Sequence, residues 1–366
     1  YPVQPMGVSY NSYLILDEKI AVMDSVDARA ADEWLAKLAH ELDGRSPDYL
    51  VISHMEPDHS GSILRLAEKY QEMKLVGNTK TFTMLRQFFG AKAPTDDRLL
   101  EVGEGETLPL GTHTLHFMLA PMVHWPEVMV AYEETEKLLF SADAFGRFGA
   151  LSRTAAAPWA PQARRYYYNI VGKYGAQVQA LLKKAAALEI ETICPLHGPV
   201  LTGGALAEAL RLYDLWSRWQ SEAPEEILLA HASIHGNTAR AAELLKQKLE
   251  AKGARVTLCD LTTTEVSYAV ANAFYCGKLV LACSTYDGGL FPPMEEFLSH
   301  LQAKGFRDRS VGLMENGSWA PAAARLMRAK LEEMKDLRVC GTVVSLRSAL
   351  SPASEAQMDA LTTELC

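Results

Sequence analysis

The segment Tyr49-Leu-Val-Ile-Ser-His54-Met-Glu-Pro-Asp-His59 decides the fold of the N-terminal half of this 366-residue chain. Its first five residues form an apolar, partly β-branched run, which predicts a buried strand that ends at His54. Four potential metal ligands, His54, Glu56, Asp58 and His59, follow within six positions. These polar side chains could converge only if a cation offset their desolvation and mutual repulsion. The segment therefore predicts a metal site at the end of a strand.

Three further candidate ligands, His124, Asp143 and His197, follow other predicted strands or lie between them. Each would reach the site from a loop that a rigid sheet positions. With no thiolate and several carboxylates, the set suits harder or borderline metal ions. A hydrolytic zinc site of this broad type would usually carry a histidine where Glu56 stands. The extra carboxylate favours a redox-active pair of irons with Asp143 as the bridge, although these ligand types also suit zinc and manganese. His59 could alternatively lie beside the metal without binding it.

The character of the sequence changes near Ser221-Glu-Ala-Pro-Glu225, where proline and charged residues cluster. Before this point, short predicted strands and helices are mixed. After it, strands and helices alternate regularly, which predicts a parallel, doubly wound sheet. We therefore place the domain boundary between residues 222 and 223, which gives domains 1–222 and 223–366.

Three polar loops follow predicted strands of the second domain. The first, Ala232-Ser-Ile-His-Gly-Asn-Thr238, opens a helix, and the positive end of a helix dipole favours a phosphate. It is not a P-loop, because Asn237 stands where that motif requires lysine, and the Rossmann glycine pattern is absent as well. The second loop is Ser284–Gly289 and the third is Glu315–Ala320. Tyr286 of the second or Trp319 of the third could stack on a flat ring. The candidate cofactor-binding residues are Ser233, His235, Gly236, Asn237, Thr238, Ser284, Thr285, Tyr286, Asp287, Gly288, Gly289, Glu315, Asn316, Gly317, Ser318 and Trp319.

Composition limits the partners that this chain would bind. The net charge of −9 disfavours nucleic acid and anionic membranes, and no apolar run approaches the roughly 20 residues that a membrane span needs. The six cysteines form no C-x-x-C pair, which argues against zinc-ribbon, rubredoxin-type and thioredoxin-type sites. Nothing in their spacing requires disulfides, so we expect a soluble protein of the reducing cytoplasm.

Taken together, these residues resemble the flavodiiron proteins, also called A-type flavoproteins. The resemblance runs from Gly7 to the C-terminus and rests on the order of the motifs, which are His54-x-Glu56-x-Asp58-His59, His124-Trp-Pro126, Asp143 and His197. It implies an α/β fold, with an N-terminal metallo-β-lactamase-like αββα sandwich followed by a flavodoxin-like doubly wound parallel sheet. It also implies that His54, Glu56 and His124 bind one iron, that Asp58, His59 and His197 bind the other, and that Asp143 bridges them.

The resemblance further implies an activity and its partners. FMN in the second domain would feed electrons to the two irons, which would reduce dioxygen to water, nitric oxide to nitrous oxide, or both. Because no rubredoxin-like cysteine module follows, we expect a separate electron donor, either a rubredoxin-like protein or a reduced deazaflavin. A head-to-tail homodimer, or a dimer of such dimers, would bring the FMN of one chain to the irons of the other.

Two other functions are compatible with parts of the sequence. A zinc-dependent hydrolase fused to a flavodoxin-like domain would use the same loops, but Glu56 is the wrong residue for it. An electron carrier whose first domain is only a scaffold would not need the complete ligand set.

Overall fold

The computed structural model describes residues 6–154 and 157–366. The chain divides into two compact units, the first ending at Asp214 and the second beginning at Leu215. The domain boundary that the sequence places between residues 222 and 223 stays a prediction. Within the described residues, no helix is both long enough and apolar enough to cross a membrane.

Two sheets form the centre of the first unit. The first sheet has the order β1-β2-β3-β4-β5, and the second has the order β11-β10-β9-β8-β7-β6. Their strands are β1 (Tyr13–Ile15), β2 (Ala21–Met23), β3 (Tyr49–Val51), β4 (Lys74–Gly77), β5 (Leu99–Glu101), β6 (Thr107–Pro109), β7 (Thr114–Leu119), β8 (Met129–Glu133), β9 (Leu138–Phe140), β10 (Thr192–Cys194) and β11 (Leu201–Thr202). The sequence predicts a hairpin from two short apolar runs, Ser12–Leu16 and Lys19–Met23, and it is confirmed, because β1 and β2 pair antiparallel.

The helices of this unit lie outside the sheets. They are α1 (Ala31–Leu42), α2 (Pro57–Ser60), α3 (Ile63–Lys69), α4 (Thr79–Phe89), α5 (Leu151–Thr154), α6 (Trp159–Tyr166), α7 (Gly175–Ala185) and α8 (Gly203–Ser217), the last of which extends past Asp214. The sequence predicts one helical stretch over residues 162–187, but a π-helical turn over Tyr167–Val171 and a 3-10 turn over Gly172–Tyr174 interrupt it. Tyr166, Tyr167 and Tyr168 are all buried there. Successive side chains of a regular α-helix point in different directions, so a local widening lets the interior accommodate all three.

The apolar strands of the first sheet are buried on both faces. Val51 of β3 packs into the core between the two sheets, whereas its neighbour Leu50 packs against the helices on the other side. This follows from the alternation of side chains along a strand. On the far side of the second sheet, Lys184 of α7 donates a hydrogen bond to the carbonyl of Leu119. The layers form the predicted αββα sandwich.

The second unit contains one parallel sheet with helices along it. Its strands are β12 (Ala223–Ala232), β13 (Val256–Asp260), β14 (Cys276–Tyr286), β15 (Gly289–Leu290), β16 (Arg307–Asn316) and β17 (Lys335–Leu346). The order β13-β12-β14-β16-β17, with β15 paired only to β14, is that of a flavodoxin-like doubly wound sheet. Its helices are α9 (Asn237–Ala251), α10 (Val266–Tyr275), α11 (Pro292–Ala303), α12 (Ala323–Glu332) and α13 (Pro352–Leu365). The predicted fold class is confirmed.

Helices α4, α10 and α13 were not predicted from the sequence. Helix α10 is rich in β-branched and aromatic residues, which favour strands. Its local sequence therefore does not indicate the helix that it forms. Polar caps mark the three N-termini. The side chains of Asn78 and Glu265 accept hydrogen bonds from the first turns of α4 and α10, and Ser351 forms a capping box with Ser354 in α13.

Gly277 in β14 tests how closely the strands of the second unit pack. A Cβ atom at this position would lie 2.1 Å from the carbonyl oxygen of Pro224. We therefore expect Gly277→Ala to lower the free energy of unfolding by about 1–3 kcal/mol, because backbone must move to relieve the overlap. Gly341→Ala in β17 is the matched control, since the nearest atom there lies 3.8 Å away. Denaturant titration followed by circular dichroism measures both variants, and equal midpoints would contradict this explanation.

Candidate metal centre and cofactor cleft

Loops after the strands of both sheets bring the seven predicted ligands together. His54 follows β3, and Asp143 and His197 follow the adjacent parallel strands β9 and β10. His124 lies on the loop between β7 and β8. The ligand atoms form two groups, and within each group the atoms lie within 4.8 Å of one another; the groups are His54, Glu56, His124 and Asp143, and Asp58, His59 and His197.

The first group surrounds one oxygen of Asp143. The Nε2 atom of His124 lies 3.1 Å from Asp143 Oδ2 and 3.1 Å from Glu56 Oε2. The Nε2 atom of His54 lies 3.4 Å from Glu56 Oε2 and 3.7 Å from Asp143 Oδ2. Two imidazoles and two carboxylates therefore point their ligand atoms toward one small volume.

The second group lies at the other oxygen of Asp143. The Nε2 atoms of His59 and His197 are 3.1 Å apart, and Asp58 Oδ2 lies 3.5 Å from the former and 3.3 Å from the latter. Asp143 Oδ1 lies 3.0 Å from His59 Nε2. One carboxylate thus directs a different oxygen at each group, which is the geometry that a bridging ligand requires.

The hydrogen bonds around these atoms fit a pair of cations. His197 Nδ1 lies 2.7 Å from the carbonyl oxygen of Ser9, which can only accept, so this nitrogen carries the hydrogen. In the neutral ring, Nε2 then offers a lone pair to the pocket. Within the described part of the chain, Asp58 Oδ1 is a buried acceptor without a hydrogen-bond partner. Such orphaned acceptors are rare unless an ion satisfies them, so the residues present fit a metal.

The pKa values of the pocket residues are shifted because several carboxylates and imidazoles lie close together there. Burial alone would lower the pKa of His54, but hydrogen bonds to Glu127 and Glu56 and the charge of Asp143 raise it to about 10. Burial would likewise lower the pKa of His197, but the carboxylates of Asp58 and Asp143 raise it to about 9. Burial raises the pKa of Glu56, yet hydrogen bonds from His124 and His54 bring it down to about 2. The pocket therefore holds protons when it holds no metal, and a metal ion must displace them.

The metal pocket opens on one side. The side chains of His54, His59 and Asp143 are fully buried, whereas those of Glu56 and Asp58 are 37% and 26% exposed. A small molecule from solvent would therefore approach past the two carboxylates.

Two residues that no sequence motif singled out hold the ligand loops in place. Buried Asp24, directly after β2, accepts hydrogen bonds from the backbone N–H groups of Ser53 (2.7 Å) and His54 (3.3 Å). Its position after a strand was the only available signal. Glu127, three residues after His124, contacts His54 and had no signal apart from this proximity.

In the second unit, the three predicted loops line one cavity of about 560 Å³, which we call the cofactor cleft. It lies beyond the carboxyl ends of β12, β14 and β16, where doubly wound sheets bind their ligands. Gly236, Gly289 and Glu315 were predicted but do not line it, whereas Ile234, Ala320 and Ser348 line it without having been predicted. Glu315 instead accepts hydrogen bonds from the Ala324 N–H and the Ser345 hydroxyl.

Hydroxyl groups cluster where α9 begins. Thr238 Oγ1 lies 2.8 Å from Ser284 Oγ, and the side-chain amide of Asn316 donates to Thr238 Oγ1 at 3.3 Å. The same amide donates to the carbonyl of Ser348, which explains why the loop after β17 joins the cleft. Hydroxyls at a helix N-terminus suit a phosphate. Trp319 is 87% exposed and Tyr286 50% exposed, so both offer an aromatic face to a flat ring. The residues present therefore fit a flavin mononucleotide.

Comparison with known proteins gives consistent similarities. Residues 8–198 match the family described as ODP family beta lactamase. The rubredoxin-oxygen oxidoreductase of Megalodesulfovibrio gigas is 28% identical over 342 residues, covering 91% of this chain and 84% of that protein. The nitric oxide reductase of Moorella thermoacetica is 27% identical over 339 residues, covering 90% and 83%. The crystal structure of the flavodiiron protein from Giardia intestinalis is 25% identical, with a TM-score of 0.90 over 99% of this chain and 90% of that one.

The family match contains the whole metal pocket, from His54 to His197. The similarity to the two reductases and to the Giardia structure extends beyond it into the second unit, which contains the cofactor cleft. The chain therefore belongs to the ODP family of beta-lactamase-like proteins, and its two units together make it a flavodiiron protein.

Proposed function

We propose that this chain is an oxidoreductase that reduces dioxygen to water, nitric oxide to nitrous oxide, or both, at a di-iron site fed by FMN. The observation that carries the proposal is the position of Asp143, whose two carboxylate oxygens face two separate groups of ligands. The names of the similar oxygen oxidoreductase and nitric oxide reductase support both gases as substrates.

Within this proposal, each iron has its own ligands, and Asp143 joins them. His54, Glu56 and His124 would hold one iron, and Asp58, His59 and His197 would hold the other. When bound, the two irons would supply open coordination positions for a diatomic gas and, together with the reduced flavin, the electrons for its reduction. The hydrogen bond from His197 to Ser9 fixes the ring so that Nε2 faces Asp58 and Asp143, where it would hold the second iron. The exposed edge formed by Glu56 and Asp58 admits the gas.

The cofactor cleft holds FMN in this proposal. The Thr238 and Ser284 hydroxyls and the N-terminus of α9 bind the phosphate, and Trp319 and Tyr286 contact the flavin ring. A separate donor reduces the flavin, either a rubredoxin-like protein, as the name of one relative suggests, or a reduced deazaflavin. A head-to-tail homodimer, or a dimer of such dimers, brings the flavin of one chain to the irons of its partner.

Loss of one proposed ligand tests the metal assignment. We expect His197→Ala to lower the rate of gas consumption by at least about 100-fold, because even residues that merely support a ligand are worth 10–100-fold. The flavin absorbance should stay unchanged, since the cofactor cleft is formed by other residues. His116→Ala is the control, because His116 is partly exposed and pairs with exposed Glu134. Oxygen and nitric oxide electrodes measure both rates with chemically reduced protein. Full activity in His197→Ala would overturn the assignment.

Metal analysis after anaerobic purification separates the proposal from the hydrolase alternative. We expect about two irons per chain and little zinc, because Glu56 adds a hard anionic ligand to the pocket. Zinc without iron, together with esterase or lactamase turnover, would instead favour the hydrolase.

Removal of one hydroxyl tests the flavin site. We expect Thr238→Val to weaken FMN binding by about tenfold or more, since a hydrogen bond to a charged group contributes about 1.5–3 kcal/mol. Valine has nearly the same shape, so the start of α9 should persist. Thr363→Val is the matched control, because its exposed hydroxyl donates to the carbonyl of Asp359 within α13 and does not line the cofactor cleft. Fluorescence titration of the flavin-free protein with FMN measures the affinity, and equal affinities in the two variants would argue against this phosphate site.

A further inference from the structure

Glu127 is a buried carboxylate that no part of the proposed function uses. Its side chain is 0% exposed. It contacts Nδ1 of His54, whereas Nε2 of the same ring faces the metal pocket. Glu127 Oε1 is 2.8 Å from His54 Nδ1 and accepts a second hydrogen bond, of 2.9 Å, from the Met55 backbone N–H. Within the described residues, its other oxygen, Oε2, is buried and has no hydrogen-bond partner.

These contacts fix the state of the His54 ring. A neutral imidazole that binds a metal through one nitrogen carries its hydrogen on the other, so His54 Nδ1 donates this hydrogen to Glu127 Oε1, 2.8 Å away. The opposite nitrogen, Nε2, is then the one that faces Glu56, His124 and Asp143.

The charge of Glu127 has few compensating groups. A buried anion is stable only when it is paired, and here the pairing runs through the His54 ring. Its main-chain carbonyl accepts a hydrogen bond of 2.6 Å from the Asn78 side chain, which also caps α4, so the backbone at Glu127 is held independently of the carboxylate. The anchoring of the loop and the negative charge can therefore be separated by mutation.

We propose that Glu127 is a positioning residue that fixes the His54 tautomer and places a buried negative charge behind the iron that His54 binds. This inference rests on the proposed di-iron site. The negative charge strengthens iron binding through His54 and stabilises the more highly charged oxidised iron relative to the reduced iron, which lowers the reduction potential of that iron.

The variant Glu127→Gln tests the charge with little change in shape. Glutamine can still accept a hydrogen bond through its amide oxygen, so the fold and the FMN content should match the unchanged protein. We expect iron affinity at the site to fall by about 10–100-fold, as for other groups that support a metal ligand. We also expect the reduction potential to rise by at least about 59 mV, which is a tenfold change in a one-electron equilibrium. Iron titration of metal-free protein and a redox titration followed by electron paramagnetic resonance measure the two effects.

Asn78→Ser is the matched control for a purely structural role. Serine is a good helix N-cap, so α4 should persist, but the hydrogen bond to the Glu127 carbonyl is lost. If Glu127 acts only by anchoring its loop, Asn78→Ser should weaken iron binding, Glu127→Gln should not, and neither should raise the potential, and that result would overturn the inference. If the unchanged protein binds no iron, the proposed function itself fails. If it binds iron and Glu127→Gln has the same affinity and potential, only the role of Glu127 fails.

Discussion

The buried carboxylate of Asp143 constrains the rest of the first unit. A fully buried anion is expensive unless positive charge surrounds it, and burial raises the pKa of Asp143 for this reason. The imidazoles of His59, His124 and His197 outweigh that effect and hold its pKa well below the usual value. The loops after several strands must therefore meet at one point. The rigid two-sheet core allows this, because it fixes the ends of the strands that carry those loops.

The second unit is suited to a ligand of the opposite charge. A phosphate ligand would carry the negative charge, and the cofactor cleft is lined by hydroxyl groups and the positive end of α9, with Asp287 as the one acidic residue among its described lining. The parallel sheet places the loops after β12, β14 and β16 at one edge. The same principle thus operates in both units: strands position loops, and the charge of the expected ligand determines which side chains the loops carry.

Sequence patterns predicted elements well where a strong local signal existed. The strand before His54 follows from a short apolar run, although it ends at Val51, two residues before the predicted end at Ser53. The predictions failed where packing overrides local preference. Helix α10 has a strand-like composition, and the π-helical turn at Tyr167–Val171 leaves no trace in apolar spacing. In both places the burial of large side chains decides the conformation.

The sequence by itself determined the chemistry of the two sites, because ligand type and the spacing from His54 to His59 are local properties of the chain. Only the tertiary structure decided which groups support them. The hydrogen bond between Ser9 and His197 joins residues 188 positions apart. The hydrogen bond between Glu127 and His54 joins residues 73 positions apart. Likewise, Ser348 joins the cofactor cleft through Asn316, 32 residues away. Contacts of such long range depend on how strands pair and sheets pack, and a one-dimensional pattern does not contain that information.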